Sequence, residues 1–144
     1  MTMLDIHPQL LAECHYLGRL PATEVLLHRN ASLPWFILVP DTELPDVLDL
    51  PREHLDGVLA DCSAISRFLK QVLGLPKVNF AGLGNVVPQM HLHIIGRAPV
   101  DACWPQPVWG NLEDSEPYDA AQVQAWQQDL VTMAGLKPAK LEHF

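Results

Sequence analysis

The run Gln89-Met90-His91-Leu92-His93-Ile94-Ile95 alternates strictly between polar or histidine side chains and apolar ones until its last residue. Alternation with a period of two is typical of a β-strand, in which successive side chains project to opposite faces. The pattern predicts a strand over 89–97, with Gln89, His91 and His93 in a row on one face. Residues two apart on a strand lie roughly 6.5–7 Å apart, so the row is close enough to act as one site.

Imidazole changes its charge near neutral pH, so His91 and His93 are candidates for a nucleophile, a general acid or base, or a metal ligand. Two other interpretations compete with a catalytic one. The histidines of an exposed edge strand would simply face solvent. A metal site would need a third ligand, and no fixed spacing in the sequence supplies one. The residues alone leave these alternatives open.

Helices are predicted from the spacing of apolar residues. The clearest helix runs over 51–73, where apolar residues recur at three- and four-residue steps and Gly74 supplies a stop. A weaker pattern with the same period predicts a C-terminal helix over 119–134. Residues 8–20 show a helix-like spacing that ends at Pro21, which predicts a short helix near the amino terminus.

The remaining elements are predicted to be strands and turns. Branched and aromatic residues predict strands at 23–28 and 35–39, joined as an antiparallel pair, and a third short strand at 77–80. The segment 81–85 contains two glycines and is predicted to turn tightly, bringing backbone N–H groups toward the histidine row. Strands and helices in this sequence predict an α+β protein.

Composition limits the class of protein. A chain of 144 residues with 49% hydrophobic residues is sufficient for one core, so a single domain over 1–144 is expected. The net charge of 9 − 17 = −8 disfavours binding of a nucleic acid polymer. No apolar run approaches the roughly 20 residues of a membrane span, so no membrane partner and a cytoplasmic location are expected.

The segment 89–95 resembles the signature of the histidine triad (HIT) family, in which three histidines alternate with apolar residues. His91 and His93 match the second and third histidines of that signature. Gln89 stands at the position of the first. This departure matters because a glutamine amide donates and accepts hydrogen bonds but carries no proton that titrates near neutral pH.

Similarity to the family extends beyond the signature and spans most of residues 23–110. Val78-Asn79 and the glycine turn precede the signature, and the tryptophan- and proline-rich segment 104–110 follows it. The strand at 35–40 also fits. The resemblance implies an antiparallel sheet of about five strands per protomer, one long helix, a C-terminal helix and assembly as a homodimer.

The resemblance also implies chemistry at the α-phosphate of nucleotides, on substrates such as nucleoside phosphoramidates or dinucleoside polyphosphates. It assigns His91 as the nucleophile that becomes a nucleotidyl-histidine, with a backbone carbonyl holding its second ring nitrogen. It assigns His93 and Asn79 to the phosphate and leaving-group region. Asn85 and the backbone of the glycine turn are further candidate donors.

Other functional expectations follow from the same resemblance. His28 or Asn30 is expected to contact the ribose hydroxyls, with Asn30 favoured. No cofactor is expected, and a divalent metal is expected only as a counter-ion of the substrate. Because Gln89 cannot act as an acid, activity is expected to favour good leaving groups. The alternative is a catalytically weak or inactive nucleotide-binding regulatory homodimer.

Overall fold

An antiparallel sheet organises residues 5–142, the part of the chain that this computed structural model describes. The two ends of the predicted domain, residues 1–4 and 143–144, lie outside the described residues. The strands are β1 (Cys14–Arg19), β2 (Thr23–His28), β3 (Trp35–Pro40), β4 (Lys77–Gly82), β5 (Leu92–Arg97) and β6 (Lys137–Pro138). Within the described residues the six strands lie in the order β4-β5-β3-β2-β1-β6, and each neighbouring pair is antiparallel.

Helices cover the sheet where their apolar stripes were predicted. They are α1 (Pro8–Glu13), α2 (Arg52–Arg67), which continues into a π-helical turn (Phe68–Val72), and α3 (Ala120–Ala134). The Asp119 side chain caps α3 by accepting a hydrogen bond from the backbone N–H of Ala121. The α+β fold, the long helix and the C-terminal helix are therefore confirmed.

The prediction of one helix over 8–20 is wrong in its second half. Helix α1 ends at Glu13, and β1 begins at Cys14 and pairs with β2. Apolar residues in this stretch are buried on both faces of the sheet, so pairing with β2 satisfies them better than a lone helical stripe. Gly18 has φ +135 at a bulge of β1, where a Cβ atom would lie 2.1 Å from the carbonyl oxygen of Lys137.

The strand predicted over 89–97 begins three residues later, because β5 starts at Leu92. Leu92 is the first residue to pair with both neighbours, through Leu38 of β3 and Gly82 of β4. Residues 89–91 pair with neither neighbouring strand. The side chains of Gln89 and His91 instead form hydrogen bonds with main-chain groups outside the sheet. Strand β5, which carries His93, lies inside the sheet, and His91 just before it is also buried, so the interpretation of these histidines as residues of an exposed edge is wrong.

The sheet has two faces that differ in what covers them. On the helix face, Phe36, Leu38 and Ile94 pack with residues of α2 and α3 in one apolar cluster. On the opposite face, which we call the cleft face, Ile37 and Ile95 belong to a second apolar cluster, and His93 lies beside them. No helix among residues 5–142 is long and apolar enough to cross a membrane.

Candidate functional site

A cleft of about 440 Å³ opens on the cleft face beside the start of β5. Its lining comes from six parts of the chain, including β2 with His28 and the segment that carries Trp109. Helix α1 supplies Leu10, the turn after β4 supplies the stretch 83–87, and β3 supplies Trp35. His91 and His93 line the same cleft, so the structure brings the two signature histidines together in one concave site.

The ring of His91 is fixed by the main chain. Its Nδ1 lies 2.7 Å from the carbonyl oxygen of Gln89. A carbonyl oxygen only accepts hydrogen bonds, so Nδ1 carries the proton and donates it. In the neutral ring Nε2 then holds a free lone pair, which is the arrangement a histidine nucleophile requires.

The ring of His93 is fixed by a neighbouring side chain, in the tautomer opposite to that of His91. Its Nδ1 accepts a hydrogen bond of 3.0 Å from the indole Nε1–H of Trp35. Because an indole only donates, the neutral ring of His93 carries its proton on Nε2. Burial lowers the pKa of His93 to about 3, with smaller effects from His91 and His28. His93 is therefore a neutral hydrogen-bond donor at neutral pH, 5.1 Å from the ring of His91 between centroids.

Trp35 is a site residue that sequence reasoning missed, because it was interpreted only as part of a strand. Its ring stacks on His28 with centroids 4.0 Å apart and an interplanar angle of 7°. Trp109 meets both Trp35 and His93 edge-on, at 5.9 and 5.0 Å. The available signal was chemical: a buried indole N–H needs an acceptor, and a histidine on the neighbouring strand is one.

The turn between β4 and β5 forms one side of the cleft, as the glycines predicted. Gly84 adopts a left-handed conformation with φ +71, which permits the reversal. Asn85 follows it and lines the cleft, whereas Val87 is buried in the apolar cluster beneath. The structure thus brings Asn85 to the site.

Two predicted site residues form hydrogen bonds away from the cleft. The Asn79 Oδ1 accepts from Arg97 Nη1 at 2.9 Å. The Asn30 Nδ2 donates to the carbonyl oxygen of Glu113 at 2.9 Å, and its Oδ1 accepts from the backbone N–H of Ser32 at 3.0 Å. Of the two ribose candidates the structure brings His28 to the cleft, and Asn30 is not among its lining residues.

Gln89 also lies apart from the two rings. Its Oε1 accepts from the backbone N–H of His7 at 2.8 Å, and its Nε2 donates to the carbonyl oxygen of Asp5 at 2.9 Å. The side chain lines a different cavity, beside the amino-terminal segment. The predicted row of three side chains on one strand is therefore wrong, because both Gln89 and His91 precede β5; the cleft brings His91 and His93 together, and Gln89 lies outside it.

A buried ion pair holds the tryptophan-rich segment near the cleft. Arg97 is 1% exposed and binds Asp101 at 2.8 Å and the carbonyl oxygen of Gln106 at 2.8 Å. Burial raises the pKa of Asp101, but hydrogen bonds from Arg97 and three backbone N–H groups outweigh it and lower that pKa to about 2. The pair fixes the path of the chain toward Trp109, which lines the cleft.

Metal-ligating side chains do not converge on one point within residues 5–142. In that part of the chain no group of three or more His, Cys, Asp or Glu side chains is arranged to hold a metal ion. Cys14, Cys62 and Cys103 are all free thiols. Burial raises the pKa of both Cys14 and Cys62 to about 12, so neither is a reactive thiolate at neutral pH.

One protein family model matches more than half of this chain. The HIT domain family model matches residues 9–100. The chain belongs to the histidine triad family. A comparison with curated proteins gave no match.

Solved structures of histidine triad proteins are similar over nearly the whole chain. One from Bradyrhizobium japonicum shares 36% identity, with 90% of this chain and 97% of that chain covered and a TM-score of 0.84. One from Marinobacter aquaeolei shares 36% identity, covering 93% and 98%, with a TM-score of 0.83. One from Sinorhizobium meliloti shares 28% identity, covering 92% and 98%, with a TM-score of 0.85.

Proposed function

We propose that the protein is a hydrolase or nucleotidyl transferase that acts at the α-phosphate of nucleotides through a covalent intermediate on His91. Its substrates would be nucleoside phosphoramidates or dinucleoside polyphosphates. The observation that carries the proposal is the 2.7 Å contact between His91 Nδ1 and the Gln89 carbonyl, which leaves Nε2 as an unprotonated nitrogen in the cleft.

The reaction would proceed in two displacements. In the first, the Nε2 lone pair of His91 attacks the α-phosphorus, an N–P bond forms, and the bond to the leaving group breaks with its electron pair. A phosphate leaving group departs as its anion, and an amine leaving group takes up a proton from solvent water. In the second, a water oxygen attacks the same phosphorus, and the N–P pair returns to Nε2. The water proton is released and a nucleoside monophosphate forms. An acceptor hydroxyl in place of water would make the reaction a transfer.

Charge that develops on the phosphoryl oxygens would be met by fixed donors. The Nε2–H of His93 is held in one tautomer by Trp35, and it needs no change of protonation during the reaction. The turn around Asn85 offers a side-chain amide and backbone N–H groups on the facing side. Asn79 would act at a distance, by fixing Arg97 and through it the segment that carries Trp109.

The nucleoside would occupy the apolar part of the cleft. Leu10 and Ile37 provide an aliphatic floor, and the stacked rings of His28 and Trp35 provide a flat aromatic surface. The His28 Nδ1 accepts a hydrogen bond from the backbone N–H of Asn30, so its Nε2–H is available to a ribose hydroxyl. We propose His28 as the ribose-contacting residue.

No step of this mechanism uses a cofactor or metal. A divalent metal would enter only as the counter-ion of a polyphosphate substrate. The mechanism therefore requires that turnover of an adenosine 5′-phosphoramidate persists in excess chelator. Loss of that activity on chelation, with recovery on adding a stoichiometric metal, would contradict this part of the proposal.

The decisive test is to trap the nucleotide on the protein. Purified protein is mixed with an adenosine 5′-phosphoramidate, quenched without acid and digested for mass spectrometry. We expect an adenylyl group on His91 and none in His91→Ala. Tight nucleotide binding with no adduct and no product over hours would instead favour the alternative, a nucleotide-binding regulatory protein that lost turnover along with the first histidine.

We also propose that the protein is a homodimer and cytoplasmic. Strand β4 lies at an edge of the sheet, and Phe80 on it is 49% exposed. An edge strand beside exposed apolar surface is suited to pairing with a second copy. Free thiols at all three cysteines suit a reducing compartment. Sedimentation analysis of wild type and Phe80→Glu tests the assembly, and a monomeric wild type would contradict it.

A further inference from the structure

Gln89, at the first position of the signature, makes a two-point contact with the main chain of residues 5–7. Its Oε1 accepts from His7 N at 2.8 Å, and its Nε2 donates to Asp5 O at 2.9 Å. One amide group thus pairs with one donor and one acceptor of the same short stretch. This contact joins positions 82 residues apart in sequence, between His7 and Gln89.

The residues held in this way begin helix α1. His7 is its N-cap, and the His7 Nδ1 accepts from the backbone N–H of Gln9 at 3.1 Å. Helix α1 has six residues, and a helix this short does not form in isolation. It supplies Gln9, Leu10 and Glu13 to the wall of the cleft. The start of this wall is therefore fastened by Gln89.

We propose that Gln89 is a positioning residue that fastens the amino-terminal segment so that α1 forms the wall of the nucleotide cleft. Its side chain holds the segment, while its carbonyl fixes the ring of His91. The consequence for nucleotide binding rests on the proposed function, but the fastening of the segment does not. Gln89 takes no part in the bond changes at phosphorus.

A histidine at position 89 is not equivalent in this role. Neutral imidazole also has one donor and one acceptor, but its two nitrogens diverge from opposite sides of a rigid ring. The amide oxygen and NH₂ lie side by side at the end of a flexible chain. Only the amide can pair with Asp5 O and His7 N together. A chemical role at the first position predicts that Gln89→His gains activity, whereas this proposal predicts weaker nucleotide binding.

The test compares Gln89→Ala, Gln89→Asn and Gln89→His with wild type. Hydrogen exchange of the His7 amide is measured in the free protein. Binding of AMP is followed by tryptophan fluorescence, because Trp35 and Trp109 line the cleft. Steady-state turnover of an adenosine 5′-phosphoramidate separates kcat from KM. Gln89→Asn retains an amide that is one methylene too short to reach, and it serves if Gln89→Ala does not fold.

Gln127→Ala is the matched control. The Gln127 Nε2 also donates hydrogen bonds to two main-chain carbonyl oxygens, of Leu17 at 2.9 Å and of Ala139 at 2.8 Å. Gln127 does not line the cleft. Its loss is expected to lower stability without changing exchange at His7 or affinity for AMP. In this way the control separates general destabilisation from release of the amino-terminal segment.

We expect the His7 amide to exchange about fivefold faster in all three Gln89 variants, the effect of losing one hydrogen bond. We expect AMP to bind several-fold more weakly and kcat to stay within about twofold, the pattern of lost uniform binding. Unchanged exchange at His7 overturns the proposal. So does faster exchange with unchanged AMP affinity, or a fall in kcat with unchanged KM.

The exchange measurement needs no substrate, so the two proposals fail separately. If no adenylyl adduct forms on wild type but the His7 amide loses protection in the variants and AMP binds more weakly, the catalytic proposal fails and Gln89 keeps its positioning role. If the adduct forms and His7 exchange is unchanged, the catalytic proposal stands and the role of Gln89 is overturned.

Discussion

The two faces of the sheet are both buried, but they achieve burial by different means. On the helix face, β3 and β5 present only apolar residues, such as Phe36 and Ile94, to the helices. On the cleft face β5 buries His93 and Arg97, and each has a partner, Trp35 Nε1 on β3 for the imidazole and the Asp101 carboxylate for the guanidinium. A protein interior accepts polar groups where a neighbour completes their hydrogen bonds. The helix face thus supplies stability, and the cleft face supplies a site.

The largest expected effect is on chemistry at the cleft face. His91→Ala should lower kcat/KM by at least about 1000-fold, because it removes the proposed nucleophile. His91 is 8% exposed and borders the open cleft, so water can fill the space left by its ring and no closed cavity forms. Stability should fall by only about 1 kcal/mol in urea denaturation.

His54→Ala, on α2, is the control for His91→Ala, since it removes an imidazole from a helix outside the cleft. It should turn over substrate like wild type. Wild-type turnover in His91→Ala itself would end the assignment of the nucleophile.

The second effect is on stability at the helix face. The Phe36 ring is fully buried against Phe68 and Trp126. Phe36→Ala should lower the free energy of unfolding by about 3–5 kcal/mol through lost apolar burial and a cavity. The pKa of His93, measured by NMR titration of its ring, should stay low in this variant. A large rise in that pKa would mean that the two faces are not independent.

A smaller effect is expected when the hydrogen bond to His93 is removed. Trp35→Phe keeps an aromatic ring but lacks the indole N–H, so Nδ1 of His93 loses its donor. The neutral tautomer is then no longer fixed, and kcat/KM should fall about tenfold, the effect of one hydrogen bond to a positioned group. Nitrogen chemical shifts of the His93 ring should report a mixture of tautomers.

Trp109→Phe is the matched variant for Trp35→Phe, because Trp109 meets the same histidine ring edge-on at 5.0 Å without a hydrogen bond to it in the structure. It should leave the His93 tautomer unchanged. Equal tautomer mixtures in both variants would contradict the role given to the Trp35 indole.

The most gradual effect, spread over several pH units, is on the pH dependence of stability. Burial lowers the pKa of His93 to about 3, below its ordinary value of 6.5. As pH falls from 6.5 toward 3, the unfolded chain takes up a proton at this position and the folded chain does not. The contribution of His93 to the free energy of unfolding is therefore fully present above pH 6.5 and decreases between pH 6.5 and 3. The decrease is up to about 1.4 kcal/mol per pH unit for one proton.

Urea denaturation of wild type and His93→Asn at several pH values measures this contribution. Asparagine does not titrate, so the variant should lose less stability than wild type between pH 6.5 and 3. Burial also lowers the pKa of His28, opposed by Glu13, so His28 contributes with the same sign in both proteins. Parallel curves for the two proteins would contradict the lowered pKa of His93.

The helix face could be predicted from the sequence, because its residues follow a simple period. The stripe of α2 and the alternation of Leu92 and Ile94 each reflect one environment on one side. The prediction of a helix over 8–20 was wrong because Cys14 and Leu17 fit a helical spacing, yet they are buried as strand residues when β1 pairs with β2. Local pattern cannot weigh a partner strand that lies elsewhere in the chain.

The cleft face could be predicted only in part. His91 and His93 were found because the family signature marks them, and Asn85 because glycines mark the turn. The bond from Trp35 to His93 joins residues 58 positions apart, and no local pattern encodes it. Asn79 and Asn30 were assigned to the ligand, but their amides complete the bonds of Arg97 and of the Glu113 carbonyl.

The contact between His91 and residue 89 is made by a main-chain oxygen, an atom that every amino acid possesses. The identity of the side chain at 89 is thereby uncoupled from the proton that prepares the neighbouring ring. A saturation library at this codon should therefore preserve the Nδ1-protonated form of His91 in every member that folds. Substitutions at the first triad position can therefore change how the amino-terminal segment is held without changing the protonation of the reactive Nε2 of His91.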